Sequence, residues 1–374
     1  MSIDLSKMPK LGFGLMRLPE ENGIIDIEQV KRMVDAYMGA GLNYFDTAYV
    51  YHNGNSEPAL REALTERYPR ESFMAATKLP AWCMKTEADR DRIFNEQLER
   101  CGLDYFDFYL LHSIEDGGNG DTYERLNCFD WGLQKKAEGK IRHFGFSFHG
   151  SPDYLEQVLD GHPEVEFVQI QLNYADWENP VVRSGELYKI LHGRHIPMII
   201  MEPVKGGSLA KLRPDLEDML KAARPENSIA SWALRFVGSL PGVMTILSGM
   251  SAEEQMLDNI QTFTNFEPLA EDEKVLLDQV KRLMLDIPQI GCTACRYCTE
   301  GCPMNIAIPD VFRAVNTMKL YNDTFRPKMF YSGVLDQGHG RAGDCIACGQ
   351  CEGVCPQHLP IIELLKEASE MLDK

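Results

Sequence analysis

Two hydrophobic rhythms alternate along the chain. Strand-length apolar runs occur at residues 10–14, 43–48, 72–78, 105–112, 142–147, 166–174, 197–203 and 242–249. Between them apolar residues return every three or four positions, as in IEQVKRMVDAYMGAG, EPALREALTERY, RDRIFNEQLERCG, SPDYLEQVLD, SIASWALRFVG and SAEEQMLDNIQTF. That spacing predicts amphipathic helices. Ser56, Thr86, Ser151, Ser228 and Ser251 stand where helix N-caps belong. Strands alternating with covering helices imply a parallel sheet, and eight such units within roughly the first 285 residues match a (β/α)8 TIM barrel, an α/β fold. An open doubly wound sheet is the alternative, but GFG at Gly12–Gly14 does not complete a GxGxxG fingerprint. HSIEDGGNGDTYER, running on from His112, reads as a mobile glycine-rich loop.

Helical pattern continues through EDEKVLLDQVKRLMLD and stops near Pro288 and Gly291. Residues 1–287 are therefore expected to form the barrel, and residues 288–374 a small, mainly helical second domain. In the latter, IAIPDVFRAVN and LPIIELLKEASEML read as helices.

Charge and hydropathy narrow the function. A formal net charge of −18 argues against nucleic acid or an anionic membrane surface as partner. No apolar stretch is long enough to span a bilayer, and the N-terminus lacks a signal-peptide core. A cytoplasmic location is expected.

Of 11 cysteines, eight fall into two runs, CTACRYCTEGCP and CIACGQCEGVCP. Both have the spacing C-x2-C-x2-C-x3-C-P, the run in which the fourth cysteine ligates the neighbouring cluster. Two 4Fe–4S clusters follow: one on Cys292, Cys295, Cys298 and Cys355, the other on Cys345, Cys348, Cys351 and Cys302. Tetrahedral zinc is the alternative, but it needs neither the third and fourth cysteines in this register nor the proline. Cys101 and Cys128 read as small buried hydrophobes.

Catalytic groups in a TIM barrel stand at the C-terminal ends of strands. Those ends carry Asp46, with Tyr51 just beyond, then Lys78 and His112. Tyr51 can protonate a carbonyl oxygen while carbon receives a hydride. A Lys78 ammonium held by Asp46 would make that phenol more acidic, and His112 would orient the carbonyl.

FDTAYVY, AATK and LLHS resemble the aldo-keto reductase signature, whose tetrad falls on Asp46, Tyr51, Lys78 and His112. The resemblance covers about the first three quarters of the chain. It implies nicotinamide contacts from Ser147 in GFSFHG and Gln169 in VQIQLNY. It puts Asn259 at the adenine, and Met201 where the family commonly stacks an aromatic residue on the nicotinamide. Between Gly249 and Asn259 there is no Lys or Arg for a 2′-phosphate, so NADPH and NADH both stand as cofactors. Trp82 and Cys83 are candidates to line a substrate loop or simply to pack. The tail resembles a two-cluster ferredoxin domain, and the fusion resembles a subgroup of the same family.

Three functions are consistent with these features. The first is a nicotinamide-dependent reductase of a small-molecule carbonyl, or dehydrogenase of an alcohol, with clusters that are structural or serve a partner. The second is a ferredoxin-linked oxidoreductase whose clusters exchange electrons with the barrel site, or with a ferredoxin or other electron-transfer protein. The third is a redox-sensing nicotinamide-binding protein, against which the intact tetrad speaks.

Overall fold

The computed structural model describes residues 3–374 other than Leu5, Ser6, Gly117, Pro180, Val181, Asn265, Thr293, Cys295, Asn322, Asp323 and Pro356. All eight predicted strands form. With a short antiparallel pair they are, in chain order, β1 (Leu11–Gly14), β2 (Glu20–Glu21), β3 (Ile24–Ile25), β4 (Tyr44–Asp46), β5 (Met74–Pro80), β6 (Phe106–Ile114), β7 (Ile141–Phe148), β8 (Phe167–Gln171), β9 (Met198–Met201) and β10 (Val243–Gly249). The eight long strands close into a barrel in the order β1-β10-β9-β8-β7-β6-β5-β4, every pairing parallel. The β2–β3 hairpin turns on Asn22 and Gly23, both at positive φ, as a two-residue Asn-Gly turn requires.

Helix starts are more varied than the serine pattern predicts. Ser151 caps Pro152–Gly161 by accepting from the Tyr154 N–H. Ser56 instead lies inside its helix and bonds the Leu15 carbonyl and Thr47. Asp89 reaches back to the backbone of Lys85 and Thr86, and Ser251 bonds the Arg17 carbonyl. Asp26, not singled out from sequence, caps Ile27–Gly39.

The chain divides into two compact units. One comprises Met1–Gly207 with Ala230–Lys274, the other Ser208–Ile229 with Val275–Lys374. The second is helical, built on Ile308–Tyr321, Phe325–Asp336 and Ile361–Leu372. It has its own core around Val311, Phe312, Val315, Ile361 and Leu365. Among the described residues no helix is long and apolar enough to cross a membrane.

Candidate functional site

Alternation along the strands decides what enters the barrel lumen. Tyr44, Ala76, Phe108, Leu110, Phe167 and Ile199 form one buried cluster. Two residues on, each strand turns the same face inward again. The positions reached are Asp46, Lys78, His112, Gln169 and Met201, joined by Ser147, which pairs with Gln169 across β7 and β8. The layer beneath leaves room only by using glycine: a Cβ on Gly145 would lie 2.3 Å from the Phe167 carbonyl oxygen. One rim therefore collects the predicted groups because they share parity and height.

At that rim Lys78 is fully buried and Asp46 nearly so. The Lys78 ammonium donates to Asp46 Oδ1 at 2.6 Å, to the Thr47 carbonyl at 2.7 Å and to the Tyr51 hydroxyl at 3.3 Å. An ammonium has three N–H donors, and all three are used. The Tyr51 oxygen thus accepts from Lys78 and keeps its own proton to give away. Burial pushes the Tyr51 phenol above its usual value; Lys78 pulls it down and Asp46 pushes it up. Burial opposes charge on Lys78, yet Asp46 and Tyr51 hold its pKa above the ordinary lysine value. The sequence expectation of a more acidic phenol therefore describes Lys78's contribution but not the net direction.

His112 lies edge-on to Tyr51, ring centroids 5.9 Å apart, and 5.1 Å from the half-exposed Trp82 ring. Burial, then the Lys78 charge and His149, press its pKa well below the usual histidine value. The imidazole is neutral at physiological pH, and its Nδ1 has no hydrogen-bond partner. A neutral ring can donate to a substrate oxygen without competing with Tyr51 for the proton. Trp82 is thus placed beside the tetrad rather than in the core.

Ser147 accepts from the Ser113 N–H at 2.7 Å, where Ser113 adopts a left-handed conformation with φ 61. Gln169 donates Nε2 to Met201 Sδ at 3.4 Å, while its buried Oε1 has no partner. A buried acceptor without a donor fits a carboxamide N–H2 such as that of nicotinamide. Asn259 stands on the helix Glu253–Thr264 and donates to Ser248 Oγ at 2.9 Å. Of the acidic stretch before it, Glu253 pairs with Arg32 at 2.6 Å, and Gln255 folds back onto the Ser251 N–H.

Sequence reading missed two supports of this rim. Tyr123, in the stretch expected to be a mobile loop, lies on the helix Asn119–Arg125 and is fully buried. Its hydroxyl is 2.6 Å from the Leu79 carbonyl, 2.7 Å from the His112 carbonyl, and takes the N–H groups of Ala81 and His112. It ties together the ends of the strands that carry Lys78 and His112. Behind Lys78, buried Glu57 accepts from Thr77 and Gln97, and Gln97 also donates to the Lys78 carbonyl. The clue was available: Glu57 shares a helical stripe with Leu60 and Leu64, where an acid is out of place.

In the second unit the cysteine runs repeat in conformation as well as spacing. Ala294 and Ala347, Arg296 and Gly349, and Asn305 and His358 are equivalent pairs, all at positive φ. One hollow is bordered by Cys292, Cys298 and Cys355; a second by Cys302, Cys345, Cys348 and Cys351. Each hollow draws its last thiol from the other run, as the spacing predicts. Cys295 lies outside the described residues. Among the described residues no three Cys, His, Asp or Glu donors close on a single ion. The seven described thiols of the two runs that border these hollows match the ligand chemistry of 4Fe–4S clusters. The Ile306 N–H points at Cys302 Sγ at 3.5 Å.

Comparison with known proteins bears on both units. L-galactose dehydrogenase of Arabidopsis thaliana is 28% identical over 302 residues, covering 74% of this chain and 93% of that protein. NADH-specific methylglyoxal reductase of Escherichia coli (strain K12) is 28% identical over 300 residues, covering 68% and 89%. Among solved structures, an aldo/keto reductase from Klebsiella pneumoniae in complex with NADP and acetate superposes with a TM-score of 0.58 at 23% identity, over 74% of this chain and 91% of that one. The 4Fe-4S dicluster domain profile matches residues 291–359. The aldo/keto reductase family profile matches residues 10–282, so with the eight-stranded barrel beneath it the chain belongs to the aldo/keto reductase family.

Proposed function

We propose that the protein interconverts a small carbonyl compound and its alcohol using NADPH or NADH, with two 4Fe–4S clusters bound by the tail. The observation that carries this reading is the saturated Lys78 ammonium, which leaves the Tyr51 hydroxyl as the free proton donor beside a neutral His112. The nicotinamide, when bound, supplies or takes up the hydride. Ser147 and Gln169 would hold its carboxamide, the latter through its unpartnered Oε1, with Met201 against the ring and Asn259 toward the adenine. Tyr51 gives the carbonyl oxygen its proton, and Lys78 stabilises the phenolate left behind. Trp82 covers one side of the substrate position. The relatives' names, a sugar dehydrogenase and a methylglyoxal reductase, support a small oxygenated substrate. The lack of Lys or Arg between Gly249 and Asn259 keeps NADH beside NADPH, although Arg32 reaches Glu253 from outside that stretch.

We place the functional parts at residues 1–287 and 288–374, in the cytoplasm. A second reading, in which the clusters exchange electrons with a ferredoxin-like partner, is favoured by exposure of Cys348. One anaerobic experiment tests both. The cluster-loaded protein is mixed with NADH or NADPH, first alone and then with a carbonyl substrate. Substrate reduction without bleaching of cluster absorbance supports the reductase reading. Bleaching by nucleotide alone supports electron exchange, and no nucleotide oxidation with any carbonyl would sink the first.

A further inference from the structure

The two cysteine runs are conformational copies, so their differences stand out. After the second cysteine of each run the backbone is left-handed, at Arg296 with φ 65 and at Gly349 with φ 77. Glycine takes this conformation without strain, whereas a side chain there is strained. Arginine sits in the strained copy. Its guanidinium is fixed by Asp310 through two bonds of 2.9 and 3.1 Å, from the first turn of Ile308–Tyr321. Arg296 also borders the hollow of Cys292, Cys298 and Cys355. The hollow of Cys302, Cys345, Cys348 and Cys351 is otherwise edged by apolar side chains such as Met304, Ile306, Ile346 and Leu365. Arg296 is the single charged residue bordering either hollow among the described residues.

We propose that Arg296 makes the cluster on Cys292, Cys295, Cys298 and Cys355 the higher-potential member of the pair, so that an electron entering the tail comes to rest there. Reduction adds one negative charge to a cluster already bound by four thiolates. A fixed cation beside it favours the reduced form, and an apolar shell disfavours it. Two features run the other way, exposure of Cys348 and the Ile306 N–H on Cys302. The N–H brings a partial dipole and the solvent a diffuse one, whereas Arg296 brings a full charge; its guanidinium is half-exposed and paired with Asp310, which is not among the residues bordering the hollow. The inference rests on the iron–sulfur reading of the tail and not on the chemistry of the barrel.

The test is a mediated redox titration of the full-length, cluster-loaded protein followed by electron paramagnetic resonance. Wild type should show two one-electron waves. In Arg296→Gly, which copies Gly349, the higher wave should fall until the reduced-to-oxidised ratio at fixed potential drops at least tenfold, about 59 mV. The lower wave should stay in place, and Arg296→Lys should restore the higher one. If Arg296→Gly fails to hold iron, Arg296→Gln against Arg296→Lys gives the same contrast. Coincident wild-type waves, an unmoved higher wave in the neutral variants, or a shift confined to the lower wave would overturn the proposal. Absence of any 4Fe–4S signal from wild type would instead refute the cofactor assignment itself.

Discussion

Lys78 and Asp46 form an ion pair at 2.6 Å in which both side chains are shut off from solvent. Such a pair is weak as a stabiliser but costly to break from one side, because the survivor is left charged and buried. Asp46→Asn should therefore lower stability by about 3–5 kcal/mol, and Lys78→Met should be milder because the surviving Asp46 carboxyl, which burial already pushes up and which only Lys78 pulls down, can take up a proton and become neutral. Chemical denaturation of the two variants beside wild type checks the ranking. A larger loss for Lys78→Met would refute it.

Tyr51→Phe keeps the ring against His112 and removes the proton. Carbonyl reduction should fall by roughly 10²–10⁴-fold, the usual range for losing a general acid. Nucleotide affinity, read by quenching of protein fluorescence, should stay within about twofold of wild type if the loss of one hydroxyl costs binding well under the ~1.4 kcal/mol of a tenfold change. A parallel loss of binding would mean that Tyr51 holds cofactor rather than moving a proton.

Gln169 has one amide end on Met201 Sδ and the other without a partner. Gln169→Leu should weaken nicotinamide-nucleotide binding about tenfold or more, near 1.4 kcal/mol, while leaving folding stability little changed. Unchanged affinity by isothermal titration would remove Gln169 from the cofactor site.

The neutral state of His112 makes stability depend on acid. Its folded pKa lies well below 6.5, so beneath about pH 6.5 the unfolded chain binds a proton that the folded one refuses. Stability from this group is intact above that pH and declines as pH falls, at most about 1.4 kcal/mol per unit. His112→Gln should flatten part of the slope between pH 6.5 and 5; His149, also lowered by burial, leaves the remainder. Identical slopes for the variant and wild type would count against a neutral His112.

Tyr123→Phe would strand the N–H groups of Ala81 and His112 at the strand ends. A loss of about 1–3 kcal/mol is expected from unsatisfied buried groups. If the hydroxyl also sets where His112 points, kcat should drop more than nucleotide affinity does. Equal effects on both would reduce Tyr123 to a fold-keeping role.

How much of this was legible beforehand follows from what each signal depends on. Strand ends are a local signal, so Asp46, Lys78 and His112 could be placed on one rim from the apolar runs, whereas Ser147 and Gln169 were reached only through the family resemblance. The kinship of the two cysteine runs was readable in their shared C-x2-C-x2-C-x3-C-P spacing, and Ala294 and Ala347 repeat it in backbone conformation. Asn22-Gly23 is a strong hairpin signal that went unread among more prominent motifs. Tyr123 was hidden because glycines upstream suggested a loop, and its value comes from carbonyls on two distant strands. The direction of the Tyr51 shift was hidden for a similar reason: burial is collective, and no single neighbour announces it.

Cys302 and Cys355 each leave the run they belong to and complete the set of the other. In the proposed cluster sets, that exchange leaves neither half of the tail with a whole binding site. A cut between residues 303 and 344 that separated the two runs would then disarm both at once. Under the proposed ligand sets, the interlock would tie the loading of each site to the presence of both runs.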